Sequence, residues 1–271
     1  MGLIAITRDV SASIGRCELT HLARVPIDLA RARVQHAAYE DCLASLGCRV
    51  HRLAEAADLP DAVFVEDTAI VLDELAVITR PGAVSRRPET RTIAEALARY
   101  RPLASIEPPA TLDGGDVLRL GRTLFVGRST RTGDEGVAQL RAAVAPHGYE
   151  VVEVAVGGCL HLKSAASEVA GSVLLINRAW IDPQPFAGLE LVDVDPSEPA
   201  AANALRVAGA VVFAGAFPRT LDRLVRLGLD VRVVDLTELA KAEGAVTCCS
   251  LLVADREPTP TPEASARRVT P

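Results

Sequence analysis

Two strands, a helix and a further strand recur along this chain at a period of roughly 45 residues, and that recurrence limits the fold more than any other feature. The first unit reads as strands over 69–72 and 75–79 about an acidic turn, a helix over 88–100 and a strand over 103–106. The second has strands over 117–120 and 124–126 about Gly121-Arg122, a helix over 133–147 and a strand over 149–156. The third opens at His161 and has strands over 173–176 and 189–194, with a proline-containing connection where a helix belongs. The fourth has strands over 204–207 and 211–213, a helix over 218–227 and a strand over 231–236. The fifth starts with an apolar, strand-like run over 246–253 that carries Cys248 and Cys249, and there the pattern stops. Its missing helix and strand lie at the other end, over 26–47 and 48–53, with Pro26 at the first helical position, where its absent N–H is least needed. A short strand over 3–7 precedes them. Repeats completed by joining the two ends form a ring, so the expected fold is a five-bladed α/β propeller. The expected organisation is a single domain over 1–255 followed by a disordered tail over 256–271, which lacks periodicity and is rich in proline and threonine. Residues 8–25 form a loop long enough to serve as a lid.

Composition narrows the class. A net charge of −6 gives no surface for nucleic acid or an anionic membrane, and no apolar run reaches the roughly 18 residues of a span. The first residues meet Arg8 and Asp9 too soon for a secretory signal. Six cysteines without such a signal indicate free thiols in a reducing compartment, so a cytoplasmic location is expected. No Cys-x-x-Cys or His-x-x-x-His spacing offers a metal site, and neither metal nor cofactor is expected.

The chemistry-bearing residues fall at matching places in the repeat. Glu66 and Asp67 begin the first unit, Asp113 the second, His161 the third and Cys248 the fifth, while the fourth offers the less reactive Asn203. In a ring, matching positions face one axis, so residues far apart in sequence share one central pocket. A thiol, an imidazole and several carboxylates together suit nucleophilic catalysis by cysteine. Each residue alone has a plainer reading. Cys248 could be a small core hydrophobe, Asp113-Gly114-Gly115-Asp116 a hairpin turn, His161 a satisfied core histidine and Glu66-Asp67 a solvated turn. Arg86 and Arg131 could be surface charge, and Leu19 could simply pack. A thiol or metal sensor without turnover remains an alternative of a different class.

Five motifs in order, Phe64-Val65-Glu66-Asp67, the Ile-Thr-Arg-Pro-Gly-Ala run ending at Ala83, Thr111 to Asp116, Leu160 to Ser164 and Thr247 to Ser250, resemble dimethylarginine dimethylaminohydrolases. The resemblance covers about residues 7–253. It implies the pentein fold, a five-bladed α/β propeller, and hydrolysis of N-methylated and dimethylated arginine to citrulline and an amine. It implies Cys248 as nucleophile, His161 as general acid and base, and Asp113 as its orienting partner; Cys249 is not required. It gives Glu66 and Asp67 to the guanidinium, Arg86 and Arg131 to the substrate α-carboxylate, and Asp61 to its α-amino group. Leu19 would come from the loop over the pocket, and Glu243 would contact the substrate. The implied partners are small molecules, methylated arginines, and a homodimer is compatible with the sequence. Two relatives of the same superfamily are alternatives: an arginine deiminase, which carries an aspartate where Lys163 stands here, and an amidinotransferase, which shares the thiol and imidazole.

Overall fold

The computed structural model describes residues 2–255; the expected tail over 256–271 lies outside the described residues. The chain opens with β1 (Gly2–Arg8), α1 (Leu29–Ser45) and β2 (Cys48–Leu53). The first repeat supplies β3 (Ala69–Val71), β4 (Ala76–Ile78), α2 (Thr90–Leu97) and β5 (Leu103–Ser105). The second supplies β6 (Val117–Leu120), β7 (Thr123–Arg128), α3 (Asp134–Val144) and β8 (Glu150–Ala155). The third has a one-turn helix, α4 (Leu162–Ala165), then β9 (Ala166–Ala170), β10 (Val173–Ile176) and β11 (Glu190–Asp193). The fourth has β12 (Ala204–Val207), β13 (Ala210–Ala214), α5 (Pro218–Arg226) and β14 (Val231–Val234); α6 (Thr237–Ala240) and β15 (Leu251–Asp255) follow.

These strands form five three-stranded sheets with one topology. In each, the middle strand pairs antiparallel with one neighbour and parallel with the other. The fifth sheet joins the two ends: β1 pairs antiparallel with β15, Ile6 opposite Leu251, and parallel with β2, Leu3 opposite Cys48. The ring therefore closes through backbone hydrogen bonds.

Packing shows why the middle strands read as unbroken apolar runs. Alternate side chains of a strand point to opposite faces. On β1, Ile4 and Ile6 enter a cluster shared with the first repeat, whereas Ala5 enters one shared with the fourth. On β10, Leu174 and Ile176 meet the second repeat, and Leu175 meets the fourth. On β7, Leu124 and Val126 face the first repeat, and Phe125 faces the third. Each sheet is thus buried on both faces by its neighbours, as parallel α/β sheets are.

Three local expectations are corrected. The first long helix begins at Leu29 rather than Pro26, because the Asp28 carboxylate accepts the N–H of Arg31 and caps it there. The thiols do not sit inside a strand: β15 starts only at Leu251. Before it, the backbone bonds elsewhere, Val246 C=O to the Tyr39 hydroxyl, Thr247 N–H to Asn203 and Cys248 C=O to Glu66 N–H. The third repeat opens with α4, and β9 supplies a strand that the sequence pattern did not mark; a 3-10 turn, Gln184–Phe186, replaces the crossover helix.

Candidate active site

The residues just before the first strand of each repeat converge. Asp67 lies in a 3-10 turn (Val65–Thr68) leading into β3, and Asp113 precedes a like turn (Gly114–Asp116) leading into β6. His161 stands at the N-cap of α4, Asn203 directly before β12, and Cys248 in the turn before β15. Asp67, Asp113, His161 and Cys248 line one cavity with Glu18, Asp61, Arg86, Arg131 and Glu243. Its open volume is about 20 Å³, little more than one water occupies. A ligand the size of an amino acid enters only if the cover over it moves.

Two carboxylates flank the imidazole. His161 Nε2 lies 3.0 Å from Asp113 Oδ2, and Nδ1 lies 3.6 Å from Asp67 Oδ1. Burial alone would lower the imidazole pKa, but Asp67, the hydrogen bond to Asp113 and the charge of Asp116 outweigh it and raise it to about 9. Burial would likewise raise the Asp67 carboxyl; His161, Arg86 and Lys163 instead hold it at about 2. Burial pushes the Cys248 thiol well above its ordinary value, and Glu66 and Asp67 add to that rise, with partial relief from the Ala245 backbone and Lys163. The resting pair is a thiol and an imidazolium. Cys249 is fully buried, and its Sγ lies 3.6 Å from Ala245 O, turned away from the cavity.

Neighbours in sequence face different spaces. Glu66, Lys163 and Thr247 line a separate cavity of about 690 Å³, though each lies within two residues of a residue in the smaller one. Lys163 Nζ lies 2.5 Å from Glu66 Oε1, and Thr247 Oγ1 donates to Glu66 Oε2 at 2.7 Å. Arg86 is buried and donates to Asp67 Oδ2 at 2.5 Å, to Glu89 and to the carbonyls of Asp61 and Phe64. The pairing expected of it would be added to these partners. Asp61 accepts the Glu18 N–H, and Arg131 donates to the Thr20 hydroxyl at 3.0 Å. Leu19 packs on the cluster around Cys17 and Phe64; Glu18, not Leu19, lines the cavity. The Glu243 carboxylate is taken up by backbone N–H groups of Thr20, His21 and Leu22.

Two supporting residues, Asp116 and Tyr39, escaped the sequence reading, and a third, Asn203, was marked there only as a less reactive group. Asp116 is fully buried and accepts from Ser129, Thr132 and the Leu162 N–H, which fixes the turn that carries His161. Burial raises its carboxyl to about 6 against the opposing pull of His161 and those donors. Tyr39, in α1, holds the cysteine turn through Val246 O and Ser250. Asn203 bonds both Thr247 and the Lys163 carbonyl, so the fourth repeat ties the turn that carries Cys248 to the one that carries His161. Only the Asp-Gly-Gly-Asp string hinted at Asp116. Asp67, Asp113 and His161 also place ligand atoms within 4.8 Å of one another, close enough to hold a metal ion.

Ring and cavity together define an enzyme of the pentein class, the five-bladed α/β propeller. No family model matches the chain. It is 39% identical over 249 residues to N(G),N(G)-dimethylarginine dimethylaminohydrolase of Streptomyces coelicolor, covering 91% of this chain and 95% of that protein. It is 35% identical over 226 residues to the protein of that name from Pseudomonas aeruginosa, covering 83% and 89%. A solved structure of the Pseudomonas aeruginosa enzyme, a cysteine-to-serine mutant complexed with citrulline, matches with a TM-score of 0.88 at 32% identity, covering 93% of this chain and 100% of that one. The chain belongs to the dimethylarginine dimethylaminohydrolase family.

Proposed function

We propose that this protein hydrolyses N-methylated and dimethylated arginine to citrulline and methylamine or dimethylamine, through a covalent thiouronium on Cys248. The observation that carries the reading is the meeting of Cys248, His161, Asp67 and Asp113 in one closed cavity, within a chain of this family. A guanidinium is a poor electrophile because its charge is delocalised, so attack on its central carbon needs a thiolate. The resting thiol is held protonated by burial and by Glu66 and Asp67. A guanidinium placed in the cavity beside Asp67 offsets that negative charge and lets the thiol proton leave to solvent.

The thiolate then forms the C–S bond. His161, already an imidazolium, gives its proton to the substituted nitrogen as the C–N bond breaks. The neutral imidazole next takes a proton from water, whose oxygen attacks the thiouronium carbon. Collapse expels the thiolate, and the product loses its remaining proton to become a urea. Asp113 and Asp67 stabilise the imidazolium at the start and end of this cycle. Arg131 and Asp61 serve the carboxylate and ammonium of the substrate, once these replace the loop groups they hold in the closed form.

Lys163 decides between this activity and arginine deimination. Its ammonium is fixed on Glu66 beside the neighbouring cavity, so no acid reaches the guanidinium from the place where a deiminase carries one. An unmethylated guanidinium that lacks one charged partner loses about 1.5–3 kcal/mol. The kcat/KM for dimethylarginine is therefore expected to exceed that for arginine by about tenfold or more, measured as citrulline release at matched concentrations. Equal or better use of arginine would overturn the substrate assignment and leave the thiol chemistry standing.

Gly115 offers an independent check on the imidazole setting. A Cβ there would lie 2.6 Å from Asp67 Oδ1 and 2.6 Å from His161 Nδ1. Gly115→Ala must push the two apart, and a misplacement of about 1 Å can cost roughly 10²-fold in rate. A folded Gly115→Ala protein that forms citrulline at the normal rate would show that this spacing does not matter.

A further inference from the structure

Glu243 stands where a glycine would be at ease. Past α6, the Gly244 N–H bonds Leu239 O at 3.0 Å and the Glu243 N–H bonds Ala240 O at 3.1 Å, the paired bonds of a Schellman helix end. That ending puts its penultimate residue in the left-handed region, and Glu243 has φ +59°. A residue with a Cβ is strained there, and glycine is the usual occupant. The next position is already a glycine for another reason: a Cβ on Gly244 would come within 2.2 Å of the Phe64 ring. A side chain kept at a strained backbone position points to a use for that side chain.

The carboxylate shows the use. It accepts from Thr20 N at 3.0 Å, His21 N at 2.5 Å and Leu22 N at 2.7 Å, three consecutive N–H groups gathered on one anion. Among the described residues, segment 18–22 has three other hydrogen-bonded ties: the Glu18 N–H to Asp61, the Arg131 guanidinium to the Thr20 hydroxyl, and the Ser85 hydroxyl to the Glu18 carboxylate. Asp61 and Arg131 are groups that an amino-acid ligand would claim for its ammonium and carboxylate. A ligand therefore competes with the loop for two of its ties and leaves the Glu243 tie untouched.

We propose that Glu243 is the latch of this loop, a positioning residue that keeps 18–22 closed over Cys248 when Asp61 and Arg131 turn to the substrate. It acts through the loop backbone, with no contact to the reacting atoms. Only its kinetic readout rests on the proposed turnover; the exchange readout stands without it.

Glu243→Gly removes the latch and leaves the residue that this backbone conformation favours, so the variant is expected to stay folded. Amide hydrogen exchange at Thr20, His21 and Leu22 should speed up by about tenfold or more in the protein without substrate, while exchange in β1 and β15 stays as in the wild type. The KM for dimethylarginine should rise by about tenfold, with kcat changed far less, because a smaller fraction of molecules is ready to bind. Unchanged exchange together with a raised KM would overturn the latch and make Glu243 a direct substrate contact. Faster exchange with an unchanged KM would also overturn it, since the loop would then have no hold on binding. If the wild type itself fails to turn over dimethylarginine, the exchange result still decides the latch.

Discussion

Cys248→Ser is expected to lower citrulline formation from dimethylarginine by about 10⁴-fold or more, whereas Cys249→Ser keeps most of the activity. The two thiols are neighbours in sequence, yet only Cys248 lines the cavity with His161. Cys249 is fully buried, its sulfur against the Ala245 carbonyl, and a serine hydroxyl there could still donate to that oxygen. Its loss should register in stability, by the roughly 1–3 kcal/mol that a poorly matched buried polar group costs. Burial, Glu66 and Asp67 already hold the Cys248 thiol above its ordinary range, and a hydroxyl in its place, far less acidic, is not expected to ionise. An active Cys248→Ser protein beside a dead Cys249→Ser one would reverse the assignment.

His161→Ala is expected to lose about 10²–10⁴-fold in kcat, because in the proposed mechanism one imidazole donates to the leaving amine and then accepts from water. The pH dependence gives a sharper test. With the imidazole pKa raised to about 9 and the thiol raised as well, the free enzyme at neutral pH carries one proton more than the reactive thiolate–imidazolium form. The kcat/KM should therefore climb from pH 6 to about 9 and level off above it, because the thiol–imidazole form left when the imidazolium is lost has the same proton count as the reactive form. Near-normal turnover by His161→Ala would leave the mechanism without its proton carrier. A profile that falls across pH 6 to 9 would show that the resting pair does not hold both protons.

Much of the ring was legible because each sheet is buried on both faces. Runs such as Val173 to Ile176 and Val211 to Phe213 must be apolar at every position to satisfy two neighbours, and their spacing exposed the repeat. The ring then told which distant residues share an axis, and Asp67, Asp113, His161 and Cys248 do line one cavity. The strand expected through Cys248 was a mistake of the same signal. Apolar character in Val246 and Cys249 reflects burial, and burial is as available to a turn as to a strand. What stopped the strand was the set of partners, Tyr39, Asn203 and Glu66, that took the turn's backbone groups.

The sequence by itself determined the fold class and the family, since these depend on residue type and on spacing along the chain. Tertiary structure alone decided the direction of each side chain at the axis. It turned Asp67 toward His161 while Glu66, one residue earlier, pairs with Lys163 beside another cavity. It buried Arg86 against Asp67 and Glu89, and it brought Glu243 to three N–H groups more than two hundred residues away in sequence. Composition and periodicity carry no record of such choices, because hydrogen bonds between repeats depend on the angle at which two turns meet, and that angle is set by packing the whole ring.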